Sequence, residues 1–309
     1  MVSMDVTSNN GQSPISRRAF TSELLAGGVA MAISSQSTGQ AWAEPSEVGT
    51  DSTARMPVIF IAHGSPELAV DPVRGAPFTK WGKELARPKA ILVVSAHWEK
   101  TRPVMLSSTQ PTGLVYDFSG FPRPLYEVRY DAPAAKELAS RIESILPKSS
   151  VARSDRGLDH GAWTPLVHLY PQADVPVLQI SMPSREGPQG LFDFGQALAP
   201  LRDEGVLIVG SGNITHPMQE LRRGLPRQTP TFAQDFDDWA KAAIEGRHYD
   251  VLMDYATKGP EVQRNHPTPD HFLPLLVTAG AASVHEGKPK FVLEEFEYNL
   301  FSRRSVEFS

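Results

Sequence analysis

The chain has no cysteine, few aromatic residues and no long apolar run. The absence of cysteine from 309 residues excludes disulfide bonds, thiolate metal ligands and thiol nucleophiles. A formal net charge of −5 provides no basic surface for nucleic acid or an anionic membrane. No apolar segment reaches the roughly 20 residues of a transmembrane helix, so we expect no membrane span in the mature chain. Any metal site must therefore use nitrogen and oxygen ligands.

The N-terminal segment has the features of an export signal. Two consecutive arginines lie within Ser16–Phe20, a modestly apolar stretch follows over Leu24–Ile33, and Ala41–Ala43 is a small-x-small cleavage site. This order predicts a twin-arginine signal peptide over 1–43 and a polar linker over 44–55. We therefore expect the twin-arginine translocase as a partner and a periplasmic or exported protein. A disordered tail with a chance arginine pair is the alternative.

Residues 56–309 alternate between buried strands and amphipathic helices. Continuous apolar runs predict strands at Pro57–Ala62, Ala90–Ser95, Val175–Ser181 and Gly205–Gly210. Weaker patterns predict strands at Val104–Ser107 and Leu125–Tyr130. Helical periodicity covers Phe78–Leu85, Ala132–Ile145, Gln189–Leu201 and Thr231–Glu245. The sequence predicts a single α/β domain with a mostly parallel central sheet flanked by helices, and the loop 109–123 as an inserted lid.

Four histidines follow or begin these elements. His63, His97 and His216 come after apolar runs, and His271 lies where a helix is predicted to begin at Pro269. Ligands of parallel sheets gather at the carboxyl ends of the strands, and neutral imidazole is a common ligand of Zn(II) and Fe(II). This arrangement predicts one mononuclear metal site. A single histidine in such a turn is more often only hydrogen-bonded, but the repetition favours the metal.

Several alternatives remain open around these histidines. His266 competes with His271 as the third ligand, and Thr268 or Asp270 could cap the following helix. The glycine-rich turn before His216 lacks the lysine of a phosphate-binding loop, so we interpret it as a turn that delivers this histidine. Asp159 is expected to cap the helix that follows it.

Aromatic residues cluster between the second and third predicted strands and recur beside His160. The structural interpretation is a packed surface loop. The functional one is a lid whose rings hold a planar substrate. We expect this second role for five side chains: Tyr116, Phe118, Phe121, Tyr126 and Trp163.

Six motifs together carry a family resemblance. HGSP, SAHW, YDFSGFP, LDHGAW, SGNITH and HPTPDHFLPLL occur in this order from about Pro57 onwards. In this order the motifs are similar to those of the class III extradiol ring-cleavage dioxygenases, in the branch of the 4,5-DOPA dioxygenases. The resemblance implies a non-haem Fe(II) or Zn(II) site, with O2 and a small aromatic catechol as substrates. It implies ligands at His63, His97 and His271. It implies either a further ligand or an acid–base group at His216, and a second pocket histidine at His160.

We interpret the chain as an Fe(II)-dependent extradiol dioxygenase. We expect His216 to be the main acid–base group and His160 to assist by orienting the substrate. A zinc hydrolase using the same pocket, or a non-catalytic metal-binding protein, are the alternatives.

Overall fold

The computed structural model describes residues 55–107 and 113–309. The predicted signal peptide, the linker up to residue 54, and residues 108–112, which include the first part of the predicted lid, lie outside the described residues. The strands are β1 (Val58–Ala62), β2 (Ala90–Glu99), β3 (Val104–Leu106), β4 (Val151–Arg153), β5 (Val177–Met182), β6 (Val206–Gly212), β7 (Pro289–Leu293), β8 (Phe296–Glu297), β9 (Phe301–Ser302) and β10 (Ser305–Phe308). The helices are α1 (Pro72–Glu84), α2 (Lys136–Ile145), α3 (His160–Leu169), α4 (Gly187–Leu198), α5 (Met218–Arg223), α6 (Thr231–Glu245), α7 (Tyr249–Met253), α8 (Tyr255–Lys258), α9 (Val262–Asn265) and α10 (Leu273–Ser283).

Eight strands form one mostly parallel sheet, in the order β4-β3-β5-β2-β6-β1-β10-β7. The four central strands β5, β2, β6 and β1 run parallel to one another. At one edge β10 and β7 pair antiparallel, and at the other β3 is antiparallel to β5. The predicted single α/β domain is confirmed. Because the central strands are parallel, the carboxyl ends of β1, β2 and β6 meet at one edge of the sheet.

The sheet is buried on both faces, which explains its continuous apolar runs. In β1, Val58 and Phe60 face a core shared with α2, α4, α6 and α10. Ile59 and Ile61 face a second core shared with α1 and α3. All four side chains are fully buried. Burying each contributes about 1.5–3 kcal/mol, so a one-residue slip of the strand would exchange both sets of contacts at once.

At the edges of the domain one predicted strand is wrong and some strands were missed. The segment predicted as a strand over Leu125–Tyr130 overlaps a 3₁₀ helix at Arg123–Glu127 and continues as a loop. Pro122 and Pro124 lack a backbone N–H and hold φ near −65°, which suits a turn and not a strand. The C-terminal strands β7 and β10 were not predicted, because their residues are only partly apolar and the strands are short.

Among the described residues, no helix is both long enough and apolar enough to cross a lipid bilayer.

Candidate metal centre

The parallel sheet brings three of the predicted ligand histidines together. His63 directly follows β1, and His97 lies within β2, which continues past the predicted end of the strand to Glu99. His271 precedes α10, and its carbonyl accepts a hydrogen bond from the backbone N–H of Asn213, just beyond β6, at 2.9 Å. Three adjacent strands therefore bring one histidine each to the same edge of the sheet. β1 and β2 do so directly, and β6 does so through the bond between Asn213 and His271.

The side chains of His63, His97 and His271 each offer a ring nitrogen within 4.8 Å of the others. The Nε2 atoms of His63 and His97 are 3.1 Å apart. Nitrogen ligands lie about 2.1 Å from a zinc ion, so this separation is that of two nitrogens sharing one ion. An imidazole trio of this kind fits a divalent metal, and metal binding at these residues stays a prediction.

Neighbouring side chains fix the tautomers of two of these rings. Ser211 Oγ donates to the carbonyl of Gly161 at 2.5 Å, so it accepts from His63 Nδ1–H at 2.9 Å. His271 Nδ1 donates to Asp270 Oδ2 at 2.5 Å. Both rings therefore direct the lone pair of Nε2 towards the centre, as a metal ligand requires.

Burial keeps the trio neutral. Desolvation is the main cause that lowers the pKa of His97 to about 3. It also lowers the pKa values of His63 and His271 well below their usual range, with further lowering from the neighbouring histidines. A protonated imidazole cannot bind a metal, so the buried site presents its ligands in the competent state.

His160 lies beside the trio and is held by a carboxylate that was not assigned a role from the sequence. Asp117 Oδ1 accepts from His160 Nδ1 at 2.8 Å and from its backbone N–H at 3.1 Å. Burial opposes ionisation of Asp117, but the bonds from His160 outweigh it and lower the pKa of Asp117 to about 2. Because Nδ1 carries the proton, His160 Nε2 is free to accept one.

The predicted helix cap is confirmed: the side chain of Asp159 accepts a hydrogen bond from the backbone N–H of Ala162 at the start of α3.

His216 lies on the opposite side and stacks on His271. The two ring centroids are 3.5 Å apart and the ring planes differ by 13°. His216 groups with Asp270 and His271 but not with His63 and His97. Burial, followed by the nearby His266, lowers the pKa of His216 to about 4.

His266 does not join the centre. Its Nε2 donates to the carbonyl of Ile214 at 2.7 Å, and its ring packs against Phe236 and Phe272. Its other nitrogen, Nδ1, is buried and has no hydrogen-bond partner within the described part of the chain. The prediction that Thr268 or Asp270 caps the next helix is wrong: α10 begins at Leu273 without a side-chain cap, and Asp270 binds His271 instead.

The histidines line a cavity of about 470 Å³. Gly64 bounds it in the left-handed conformation with φ +62°, which strains residues other than glycine, and a Cβ there would also displace the carboxylate of Glu297. The rest of the lining is largely apolar and includes Phe118, Phe121 and Phe301.

Only some of the predicted substrate-binding residues line the cavity. Phe118 and Phe121 line the cavity. Tyr116, Tyr126 and Trp163 are not among the residues that line the cavity; they pack against Phe118, and their contact with a substrate stays a prediction. The indole of Trp163 is fully buried and donates to the carbonyl of Val115. Aromatic residues in one loop do not reveal which rings face inwards; only packing decides that.

Comparisons with known proteins place this geometry in a family. Residues 58–309 match the model of the catalytic LigB subunit of aromatic ring-opening dioxygenase. The 4,5-DOPA dioxygenase extradiol of Beta vulgaris is 40% identical over 258 residues, covering 81% of this chain and 95% of that protein. Its namesake from Escherichia coli K12 is 36% identical, covering 74% and 86%. An uncharacterized Escherichia coli K12 protein of known crystal structure has a TM-score of 0.69 and 32% identity, covering 82% of this chain and 100% of its own.

The chain belongs to the LigB family of aromatic ring-opening dioxygenases. It is a metal-dependent extradiol enzyme that opens a catechol ring, as the predicted resemblance implied. The hydrolase and the non-catalytic binding protein are not favoured. Within this LigB-family chain, the residues missed from the sequence are those that support the histidines: Ser211, Asp117 and Asp270. The sequence does not reveal these supporting roles. Ser211 and Asp117 meet their histidines only in the folded chain, and Asp270 is simply the residue before His271.

Proposed function

We propose that this enzyme opens a DOPA-like catechol with O2, using Fe(II) held by His63, His97 and His271. The observation that carries the proposal is the cluster of three neutral imidazoles in a cavity whose remaining lining is largely apolar. Three neutral ligands leave the double positive charge of the ion uncompensated, which favours a catechol bound as an anion. The names of the relatives support the choice of a DOPA-like substrate.

Fe(II) is the proposed metal because the reaction consumes O2. When bound, it would supply the one-electron chemistry that joins O2 to the ring, which Zn(II) cannot. The donor set alone accepts either ion, since imidazole suits both.

His160 is the group best arranged to take a catechol proton. Asp117 holds its Nδ1–H, leaves Nε2 as acceptor and stabilises the imidazolium that forms. Among the described residues no carboxylate is hydrogen-bonded to the ring of His216, whose nearest carboxylate is that of Asp270 within 4.8 Å; the ring is held by stacking on His271 and by burial. We therefore assign the base to His160 and a neutral hydrogen-bonding role to His216, reversing the weights expected from the sequence.

The aromatic side chains of the cavity wall position the ring of the substrate. Phe118 contacts the His160 ring at a centroid distance of 5.6 Å and that of Phe121 at 5.4 Å. Behind it, Tyr126 packs at 5.2 Å. A planar substrate between this wall and the histidines is oriented by edge and face contacts and shielded from water.

The test is O2 uptake by protein loaded with Fe(II) under anaerobic conditions and then mixed with L-DOPA in air. We expect stoichiometric uptake and a yellow semialdehyde product. Zn(II)-loaded protein is the matched control and should bind catechol without consuming O2. Equal uptake with either metal, or with neither, contradicts the proposal.

We also propose that the mature enzyme acts outside the cytoplasm. The arginine pair Arg17-Arg18 and the site after Ala43 support export by the twin-arginine route. Replacing both arginines with lysine keeps the charge, and we expect this variant to stay unprocessed in the cytoplasm. The control is a Lys148→Arg, Lys288→Arg variant. Normal processing of the Arg17→Lys, Arg18→Lys chain would exclude the route.

A further inference from the structure

One wall of the substrate cavity carries a carboxylate without an ion-pair partner among the described residues. Glu67 lines the cavity four residues after His63. Its Oε2 accepts from the hydroxyl of Tyr298 at 2.6 Å. No lysine, arginine or histidine of the described chain lies within ion-pair distance of it. Tyr298 therefore holds the carboxylate in place without neutralising it.

The neighbouring charges do not compensate Glu67. Arg74 donates to Glu297 Oε1 at 2.5 Å and lies 3.3 Å from Asp71 Oδ2, so it is shared between two other carboxylates. Glu297 also accepts from the Ser65 N–H at 3.1 Å. Arg74 also lies 3.5 Å from the hydroxyl of Tyr298, and Arg303 is paired with Glu295. One shared arginine thus faces the carboxylates of Asp71, Glu297 and Glu67, so this wall has more acidic than basic groups.

Apart from the proposed metal, which the catechol oxygens would occupy, the described residues that line the cavity supply no lysine or arginine. Their carboxylates are those of Glu67 and Glu297. Once the catechol is bound, a carboxylate on the substrate side chain would therefore lie near these two carboxylates and find no arginine or lysine to pair with. An ammonium would meet a carboxylate in a largely apolar, low-dielectric setting, where such a pair is stronger than in water.

We propose that Glu67 is a specificity-determining residue that selects catechols with a primary ammonium on the side chain and rejects those with only a carboxylate. The inference rests on the proposed function and narrows its substrate class. It assigns the amine of a DOPA-like molecule, and not its carboxylate, to the recognised group. A catechol with the amine alone should then bind at least as well as the amino acid.

The test compares three catechols of similar size: dopamine, 4-ethylcatechol and 3,4-dihydroxyphenylacetate. Binding is measured by calorimetry on Zn(II)-loaded protein without O2, so that affinity is read without turnover. A charge-assisted hydrogen bond makes a difference of about tenfold or more. We expect dopamine to bind about tenfold more tightly than 4-ethylcatechol, and 3,4-dihydroxyphenylacetate to bind most weakly.

The variant Glu67→Gln keeps the shape of the side chain and removes its charge. We expect it to reduce the preference for dopamine over 3,4-dihydroxyphenylacetate by about tenfold or more. Tyr298→Phe removes the bond that holds Glu67 and should reduce the preference by less. Glu286→Gln, an exposed position outside the cavity, makes the same change in net charge and should keep the preference.

The outcomes separate this inference from the proposed function. An unchanged ratio in Glu67→Gln, or equally tight binding of the amine and the acid to the unmodified protein, overturns the role of Glu67. Absence of O2 uptake by the Fe(II) protein with every catechol overturns the proposed function, whereas the binding ratio still decides the inference.

Discussion

The two histidines that flank the trio have opposite environments. The ring of His160 is bonded to the carboxylate of Asp117, which is one-fifth exposed (21%) and ionised. The ring of His216 has no side-chain hydrogen bond among the described residues and stacks flat on His271. A carboxylate partner stabilises a positive ring, whereas stacking on a buried imidazole does not. Similar residues beside one centre are thus prepared for different tasks.

The largest effect on turnover is expected when one histidine of the trio is removed, because both flanking histidines act beside the metal that the trio holds. His63→Ala, His97→Ala or His271→Ala removes a ligand, so we expect loss of stoichiometric metal and of turnover. Metal content is measured on the purified variants by elemental analysis. His266→Ala is the matched control and should keep its metal, because its Nε2 donates to Ile214. Metal loss in the control with retention in His271→Ala would reverse the assignment of the third ligand.

The next effect distinguishes the two flanking histidines. His160→Gln should retain metal and lose turnover by about a hundred- to ten-thousandfold, as expected for loss of a general base. His216→Gln should retain metal and lose less. Metal content and O2 uptake are measured on the same samples. A larger loss in His216→Gln would return the main acid–base role to that residue, and a metal-free His216→Gln would make it a ligand.

A smaller effect is expected when only the support of His160 is altered. Asp117→Asn keeps an oxygen that can accept the Nδ1 proton but loses the charge that stabilises the imidazolium. We expect turnover to fall by about ten- to a hundredfold with metal content unchanged. The control is Asp155→Asn, a nearby residue outside the cavity. If Asp117→Asn behaves like the control, its carboxylate does not act on His160.

The smallest effect concerns stability on the His216 side of the site. Burial lowers the pKa of His266 to about 4. Its unfolded value is about 6.5, so the unfolded chain takes up the proton first as the pH falls. The neutral ring stabilises the fold above pH 6.5, and this contribution is lost between about pH 6.5 and 4.

Urea unfolding of metal-free protein at several pH values measures this loss. One such histidine contributes a slope of up to about 1.4 kcal/mol per pH unit. His266→Gln should have a lower unfolding free energy at neutral pH and a shallower decline below pH 6.5. Parallel curves for the two proteins would show that His266 does not titrate on unfolding.

The sequence by itself determined the elements that carry the site. Short continuous apolar runs are typical of strands buried on both faces, and such strands occur in parallel sheets with a shared carboxyl edge. The predicted helix over Thr231–Glu245 matches α6, because its periodicity places Phe232, Phe236, Ala240 and Ile244 on one side. The histidines that follow β1 and β6 were located for the same reason.

Only the tertiary structure decided the partners of these histidines. Ser211 lies 148 residues from His63 and Asp117 lies 43 from His160, and no local pattern encodes a contact over such a separation. His271, and not His266, joins the trio because the Nε2 of His266 is bonded to the carbonyl of Ile214. The charge of the cavity wall likewise arose from packing, because Tyr298 reaches Glu67 across 231 residues. Local periodicity reports which face of an element is buried, whereas pairing across the chain depends on how the elements pack.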